Sequence, residues 1–397
     1  MEFQSIAFLG LSLNQLDYIQ AAKNLGYNII GFDSDTNAPC HNLCNVSFPI
    51  RIDNHKLIIK ELVKAENLIG CISEQTDNAL LSIGIVNSTF NLLGPSHEIV
   101  ENIKNKSLQR QKCKTLNIKQ PDFVFCNTSD EFSKLVFKFL DKYKNIVVKP
   151  FEGQSSIGVK SISNYEFNAH ELVNLYNDLS LTSGSKNFLI EEFVNGDDIS
   201  IEGLVFQSKI HILAICHKTK CQSNPMVDKT LKVFAYNLTN HKLEFQLAKK
   251  LVQGFGLDNS FFHIEAKKKS SLSLIEWTPR GCGSRLSSVL LSRLYKKNIP
   301  VIRVSMFLKN YEFPKFSKPK EIGLLYFFDK DIASIEALHS NIRKHIQEYD
   351  LDINLKNLSY NSKKIILDGR SRLGNIIAIG SKVKIKNLYD ELMQLNL

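Results

Sequence analysis

No stretch of the 397-residue chain reaches the about 18 consecutive apolar residues of a membrane-spanning helix, which excludes one. The N-terminal MEFQSIAFLG has no basic segment before its apolar stretch and no small-residue cleavage site. It reads as a first strand rather than a secretion signal, so a cytoplasmic protein is expected. The eight cysteines form no Cys-x-x-Cys pair and match no histidine spacing, which argues against zinc or a disulfide framework and for reduced thiols. There is no internal repeat, no low-complexity tract, no Walker A phosphate loop and no Gly-x-Ser-x-Gly elbow. What is present is 43% hydrophobic and 23% charged residues, enough for two or three domains with real cores. The net charge of +10 suits a polyanion. Its basic residues are dispersed and not interleaved with aromatics, which places nucleic acid last; an anionic membrane surface or a polyanionic small substrate such as ATP stays open.

An apolar run at 4–10, a helical spacing over 14–25 ending at Gly26, and the run YNIIGFD (27–33) form a β-α-β unit with a parallel sheet. The alternation continues with a strand at 68–73 and a helix from Asp77 to Asn87. The first turn keeps only Gly10 of the Gly-x-Gly-x-x-Gly dinucleotide pattern, so Asp33 at a ribose-acid spacing makes a poor NAD site. A boundary falls near 97. Two strand-like runs in 145–160 are joined by a Gly/Ser turn, with a helix expected at 165–179 and strands at 187–193, 199–206 and 210–216. The polar stretch Lys218–Thr230 reads as a loop, 243–254 as a helix, and 260–267 with 272–277 as a hairpin. A smaller α+β unit begins at about 317.

Three stretches carry chemistry. In VVKPFEGQSSIGV (147–159), Lys149 ends a strand and precedes Glu152, Gly153, Ser155, Ser156 and Gly158. A point charge, approachable backbone N–H groups and hydroxyl donors suit a polyphosphate; a plain glycine hairpin is the alternative. In FLIEEFVNGDDISIEG (188–203), strand-edge acids suit an adenine amino group or a ribose, against a hairpin with solvated acids. In FHIEAKKKSSLSLIEWTPRGCG (262–283), Glu265 and Glu276 are placed to face each other across a hairpin. Like charges that close need a cation between them, and Mg²⁺ takes carboxylate and phosphate oxygens. Arg280 then suits a phosphate or a carboxylate.

In this order, the three stretches resemble an ATP-grasp ligase of the carboxylate–amine, amino-acid-joining type, over nearly the whole chain. The resemblance implies a mixed α/β and α+β fold. A Rossmann-like β-α-β pre-ATP-grasp domain (1–97, including FDSDTNAPC) precedes an ATP-grasp domain (98–316, lid about 110–186) and a small C-terminal closing domain (317–397). It implies ATP as bound nucleotide with one or two Mg²⁺, Mn²⁺ being the substitute ion. Lys106 in NKSLQR and Lys149 would contact the nucleotide, and Glu152, Gly153, Ser155, Ser156 and Gly158 would form the phosphate lid. Glu191 with the Glu192, Phe193 and Val194 backbone would bind the adenine edge, and Asp198 the ribose. Glu265, Glu276 and Thr278 would hold metal, and Arg280 with Lys149 would serve the reacting phosphate. One departure is Thr278, where the family commonly has asparagine; a hydroxyl is a weaker ligand and bears on a second Mg²⁺.

The reaction so implied runs through an acyl phosphate and releases ADP and phosphate, with small carboxylate and amine substrates, no membrane or nucleic-acid partner, and a homodimer as the family's common state. The rivals are a biotin- or purine-type carboxylase relative that uses bicarbonate, and an ATP-binding regulatory protein without turnover. Lys218, Lys220 and Arg285 are candidates for the acceptor pocket but are expected to be surface charges. His263 is expected to alternate outward from the Glu265 face, and the C-terminal unit to pack rather than react.

Overall fold

The computed structural model describes residues 4–394 apart from 154, 164–166, 309, 329–349, 356–371 and 373. Its N-terminal sheet is parallel, with strands β1 (Ser5–Leu9), β2 (Asn28–Phe32), β3 (Val46–Phe48) and β4 (Leu68–Ile72) in the order β3-β2-β1-β4. β1 is buried throughout, as a strand covered on both faces must be. The first helix, Leu13–Asn24, ends before Gly26, whose φ of +82° suits a residue without Cβ. Asp33 spends its carboxylate on the backbone, Oδ2 accepting from Leu11 N at 2.8 Å and Oδ1 from Asp35 N at 3.0 Å. That fixes the first turn from within and agrees with the poor dinucleotide match.

A second, antiparallel sheet contains β5 (Phe123–Cys126), β6 (Asn145–Pro150), β7 (Lys160–Ser163) and β8 (Phe188–Glu192), ordered β5-β8-β6-β7. Strand alternation divides its faces. Ile146, Val148 and Ile190 pack under the helices Ser129–Tyr143 and Ala169–Ser183, while Val147, Lys149 and Glu191 line a cavity. The helix expected at 165–179 runs from Ala169 to Ser183, because Asn168 and Glu171 form a reciprocal capping box that sets its start; residues 165 and 166 lie outside the described ones.

The third sheet holds eight strands: β9 (Asp197–Phe206), β10 (Lys209–Lys220), β11 (Asp228–Ala235), β12 (Ser260–Lys268), β13 (Leu272–Thr278), β14 (Ile322–Phe328), β15 (Asp350–Leu355) and β16 (Gly374–Gly380). Their order is β13-β12-β9-β10-β11-β14-β16-β15. The C-terminal strands therefore continue the central sheet through β11–β14 pairing, Thr230 opposite Tyr326. The expected loop Lys218–Thr230 is corrected: β10 runs to Lys220 and β11 starts at Asp228. Polarity there marks strand residues facing a polar cavity, not irregular chain. The main core joins this sheet to the N-terminal unit, with the helix Ile299–Ser305 packed on Leu13–Asn24. Among the described residues no helix is long and apolar enough to cross a membrane, and all eight cysteines are free. Burial pushes the Cys71 and Cys113 thiols up to about 12, which leaves them unreactive.

Candidate functional site

A cavity of about 640 Å³ lies between the second and third sheets, with residues 75–77 of the N-terminal unit and Leu325, Phe327 and Arg372 of the C-terminal unit also on its wall. Its upper side is the β6–β8 face. Lys149 Nζ lies 2.6 Å from Glu191 Oε2, and Arg110 Nε lies 2.6 Å from Glu191 Oε1, with all three side chains buried. Arg110 also donates to Ile275 O at 2.5 Å. Burial pushes the Glu191 carboxyl up, but Arg110 and Lys149 outweigh it and hold it below the usual range. Burial, opposed by Glu191, leaves Lys149 below its ordinary value. Two cations share one carboxylate, so the cluster carries net positive charge toward the cavity. Arg110 went unread in the sequence although it stands in NKSLQR, four residues after Lys106 on the same helical face.

Lys106 starts the helix Lys106–Thr115, which is capped by the Asn105 side chain. Its backbone N donates to Phe151 O at 2.9 Å, and Nζ donates to Gly153 O at 3.2 Å and pairs with Glu276 Oε1 at 2.9 Å. The 151–159 loop is thereby tied to the same lysine. Ser155 and Ser156 both have positive φ (57° and 60°), an uncommon conformation for residues with a Cβ, and Ser156 Oγ donates to Met226 O at 2.8 Å. Gly158 has φ +69°, and a Cβ there meets Ser183 Cβ at 2.8 Å. Gly158→Ala is expected to lower stability by about 1–2 kcal/mol, read as a reduced urea midpoint. Glu152 instead pairs with Lys104 at 2.6 Å, away from the cavity wall. Glu192, Phe193, Val194 and Asp198 line the cavity, and Asp198 pairs with Lys267 at 2.7 Å.

On the hairpin β12–β13, Glu265 stands directly opposite Glu276, with a register shift just after it. Each carboxylate holds a lysine: Lys106 on Glu276, and Lys218 on Glu265 at 2.5 Å. Lys218 also meets Asp228 at 3.0 Å and its side chain is 3% exposed, so it is not a surface charge. The half-buried Lys220 pairs with Asp228 at 2.6 Å, and Arg285 meets Asp352 at 3.3 Å. The outward reading of His263 is also corrected. Residues two apart on a strand share a face, and His263 lies buried between Glu202 (Nδ1 to Oε1, 2.8 Å) and Glu265 (Nε2 to Oε1, 3.1 Å). Burial alone lowers His263, but Glu202 and Cys282 beside it hold it well above the usual imidazole range. Burial raises Glu265, yet Lys218 and His263 bring it well below its ordinary value.

Thr278 and Arg280 are both held from the N-terminal unit. Arg280 makes a two-pronged pair with Asp77, Nε to Oδ1 and Nη2 to Oδ2, each 2.6 Å, and Thr278 Oγ1 donates to Asp77 Oδ1 at 2.8 Å. Burial raises Asp77, and Arg280 more than reverses it. No local pattern announces Asp77, which reaches its partners across about 200 residues of chain.

The arrangement suits a nucleotide triphosphate: a buried positive cluster, a strained loop of backbone N–H groups, and two facing carboxylates able to hold a divalent cation. Residues 143–288 match the model of the ATP-grasp domain. A comparison with curated protein sequences finds no match. Among solved structures, L-amino acid ligase from Bacillus licheniformis superposes with a TM-score of 0.75 at 18% identity, covering 98% of this chain and 97% of that one. Phosphoribosylglycinamide synthetase from Anaerococcus prevotii gives 0.70 at 18% identity, covering 99% and 98%. The ADP complex of N5-carboxyaminoimidazole synthetase from Staphylococcus aureus gives 0.74 at 13%, covering 100% and 98%. At these identities the likeness shows the fold, and it extends from end to end. Residues 143–288 thus match the ATP-grasp domain, and the chain shares the fold of these structures over its whole length.

Proposed function

We propose that this chain is an ADP-forming ligase that joins a carboxylate to an amine through an acyl phosphate. The observation that carries the reading is the direct pairing of Glu265 with Glu276 on a cavity wall beside the net-positive Lys149–Glu191–Arg110 cluster. A substrate carboxylate oxygen attacks the γ-phosphorus, the bond to the β-phosphate oxygen breaks, and ADP leaves with that electron pair. An amine nitrogen then attacks the acyl carbon, loses a proton, and phosphate leaves. Phosphoryl transfer asks mainly for positioning and charge neutralisation, which Lys106, Lys149 and Arg280 supply. Glu265 and Glu276 fit Mg²⁺ because both are oxygen donors at opposed positions of one hairpin on the cavity wall; bound there, it would neutralise phosphate charge. Thr278 can offer only a lone pair, since its proton is given to Asp77. The 151–159 loop, tied to Lys106, closes the triphosphate from water.

Asp77 gives both carboxylate oxygens to Arg280 and Thr278, so it acts as a positioning residue. Asp77→Asn is expected to lower ADP formation about 100-fold, since a shift of 1 Å in a clamp has that effect. Turnover at saturating ATP, measured at a temperature where circular dichroism shows the variant folded, checks it; melting itself should fall, because Arg280 loses a buried partner. The reading as a whole is tested by nucleotide product analysis with Mg-ATP and, in separate reactions, pooled amino acids or bicarbonate. ADP plus phosphate dependent on the amino-acid pool supports it. Dependence on bicarbonate moves the chain to the carboxylases, and AMP plus pyrophosphate overturns the acyl phosphate.

A further inference from the structure

No step of the ligase reaction calls on Glu202, His263 or Cys282, yet the fold gathers the three. Glu202 on β9 stands directly opposite His263 on β12, and Cys282 follows β13 in a turn whose Gly281 N donates to Glu74 Oε2 at 2.7 Å. One carboxylate oxygen, one imidazole nitrogen and the thiol sulfur lie within 4.8 Å of one another. Glu202 and His263 are buried, and the half-buried Cys282 lines the cavity beside His263. Glu202 Oε1 accepts from Ser200 Oγ at 2.7 Å and also meets His263 Nδ1 at 2.8 Å. Its Oε2 is buried and has no partner among the described residues, a costly state for a carboxylate oxygen that nothing binds.

We propose that Glu202, His263 and Cys282 bind a divalent ion of the Zn²⁺ class, at a site separate from the one where Glu265 and Glu276 fit Mg²⁺. An oxygen, a nitrogen and a sulfur donor together suit a borderline-soft ion, whereas Mg²⁺ takes oxygen. Tetrahedral Zn²⁺, with bonds of about 2.0–2.3 Å, spaces its ligands about 3.3–3.8 Å apart. The three donors therefore close by about 1–1.5 Å at most, a movement that side-chain rotation covers. Binding displaces the imidazole and thiol protons, and the two charges of the ion answer those of the Glu202 carboxylate and the Cys282 thiolate. His263 and Cys282 both stand on the cavity wall, so a fourth position opens toward the cavity, as in zinc sites that take water or a substrate donor. The site stands independently of the ligase reading.

The test takes the full chain, reduced and stripped with EDTA, and titrates it with Co²⁺ and then Zn²⁺ in the absence of nucleotide. The expected result is one Co²⁺ per chain with a thiolate-to-cobalt absorption band, displaced by Zn²⁺ and untouched by excess Mg²⁺. Cys282→Ser is expected to lose the band and to bind Zn²⁺ at least about 100-fold more weakly, beyond the about 10- to 100-fold cost of losing an outer-shell partner. Glu202→Gln retains the thiol, so it keeps the band but reaches it only at higher Co²⁺. Both variants are compared at a temperature where circular dichroism shows them folded. A parent chain without the band overturns the proposal. So does a band that survives in Cys282→Ser, which puts the ion on other thiols such as the neighbouring Cys40 and Cys44. Co²⁺ bound without the band and released by Mg²⁺ also overturns it, since the ion is then held by Glu265 and Glu276. Unchanged Co²⁺ affinity in Glu202→Gln does the same.

Discussion

Glu191→Gln is expected to lower the stability of the chain by about 3–5 kcal/mol, the cost of removing one partner from a buried ion pair. The carboxylate is 3% exposed and is shared by Arg110 and Lys149, both at 2.6 Å. Glutamine has nearly the same shape but leaves two buried cations facing each other. A urea unfolding curve with a lower midpoint and unchanged slope checks the size. The double variant Arg110→Gln, Glu191→Gln is expected to recover part of the loss, because it removes a cation along with its anion. The pH dependence follows from the direction of the Glu191 shift. Its folded carboxyl is held below the ordinary value, burial being outweighed by Arg110 and then Lys149. Its stabilisation is therefore complete above about pH 4.3, the unfolded glutamate value, and is lost as pH falls through the lower folded value. The gap between the parent chain and Glu191→Gln should close only in strong acid. A constant gap down to that range contradicts the pairing.

The parallel N-terminal sheet was legible because its strands are short apolar runs punctuated by Gly10, Gly26 and an intervening helical period. The Glu265–Glu276 pairing was legible for a similar reason. A hairpin with a short turn fixes which residues face each other, so local spacing carries a spatial fact. His263 shows the limit of care rather than of information, since strand parity already places it on the Glu265 face. Lys218 is a different case. A polar strand facing a polar cavity has the composition of a loop, and only its partners Asp228 and Glu265 reveal it as buried. Asp77 and Glu202 left no local signal at all. Their roles come from chain segments brought together by the fold, as when β9 pairs with β12 and sets Glu202 opposite His263.

Glu276→Gln is expected to reduce ADP formation about 100-fold or more, because a metal-held phosphate gains several kcal/mol that this carboxylate helps to supply. The substitution separates chemistry from stability in a way that Glu191→Gln does not. Glu276 is 37% exposed and its partner Lys106 keeps a second acceptor in Gly153 O, so the lost ion pair should cost at most about 1 kcal/mol. Melting should barely move while turnover collapses. The Mg²⁺ concentration for half-maximal turnover should also rise, since one of two facing anionic donors is gone. Lys106→Met provides the contrast: it leaves both carboxylates and removes a charge at the loop, so the KM for ATP should rise more than the Mg²⁺ requirement. Glu265→Gln should raise the Mg²⁺ requirement likewise, because the two stand opposite each other on one hairpin, but it also takes a partner from buried Lys218 and His263 and so should lower melting. If Glu276→Gln turned over at the parent rate with the parent Mg²⁺ requirement, the facing carboxylates would be no more than lysine partners. The cation site would then have to be sought elsewhere on the cavity wall.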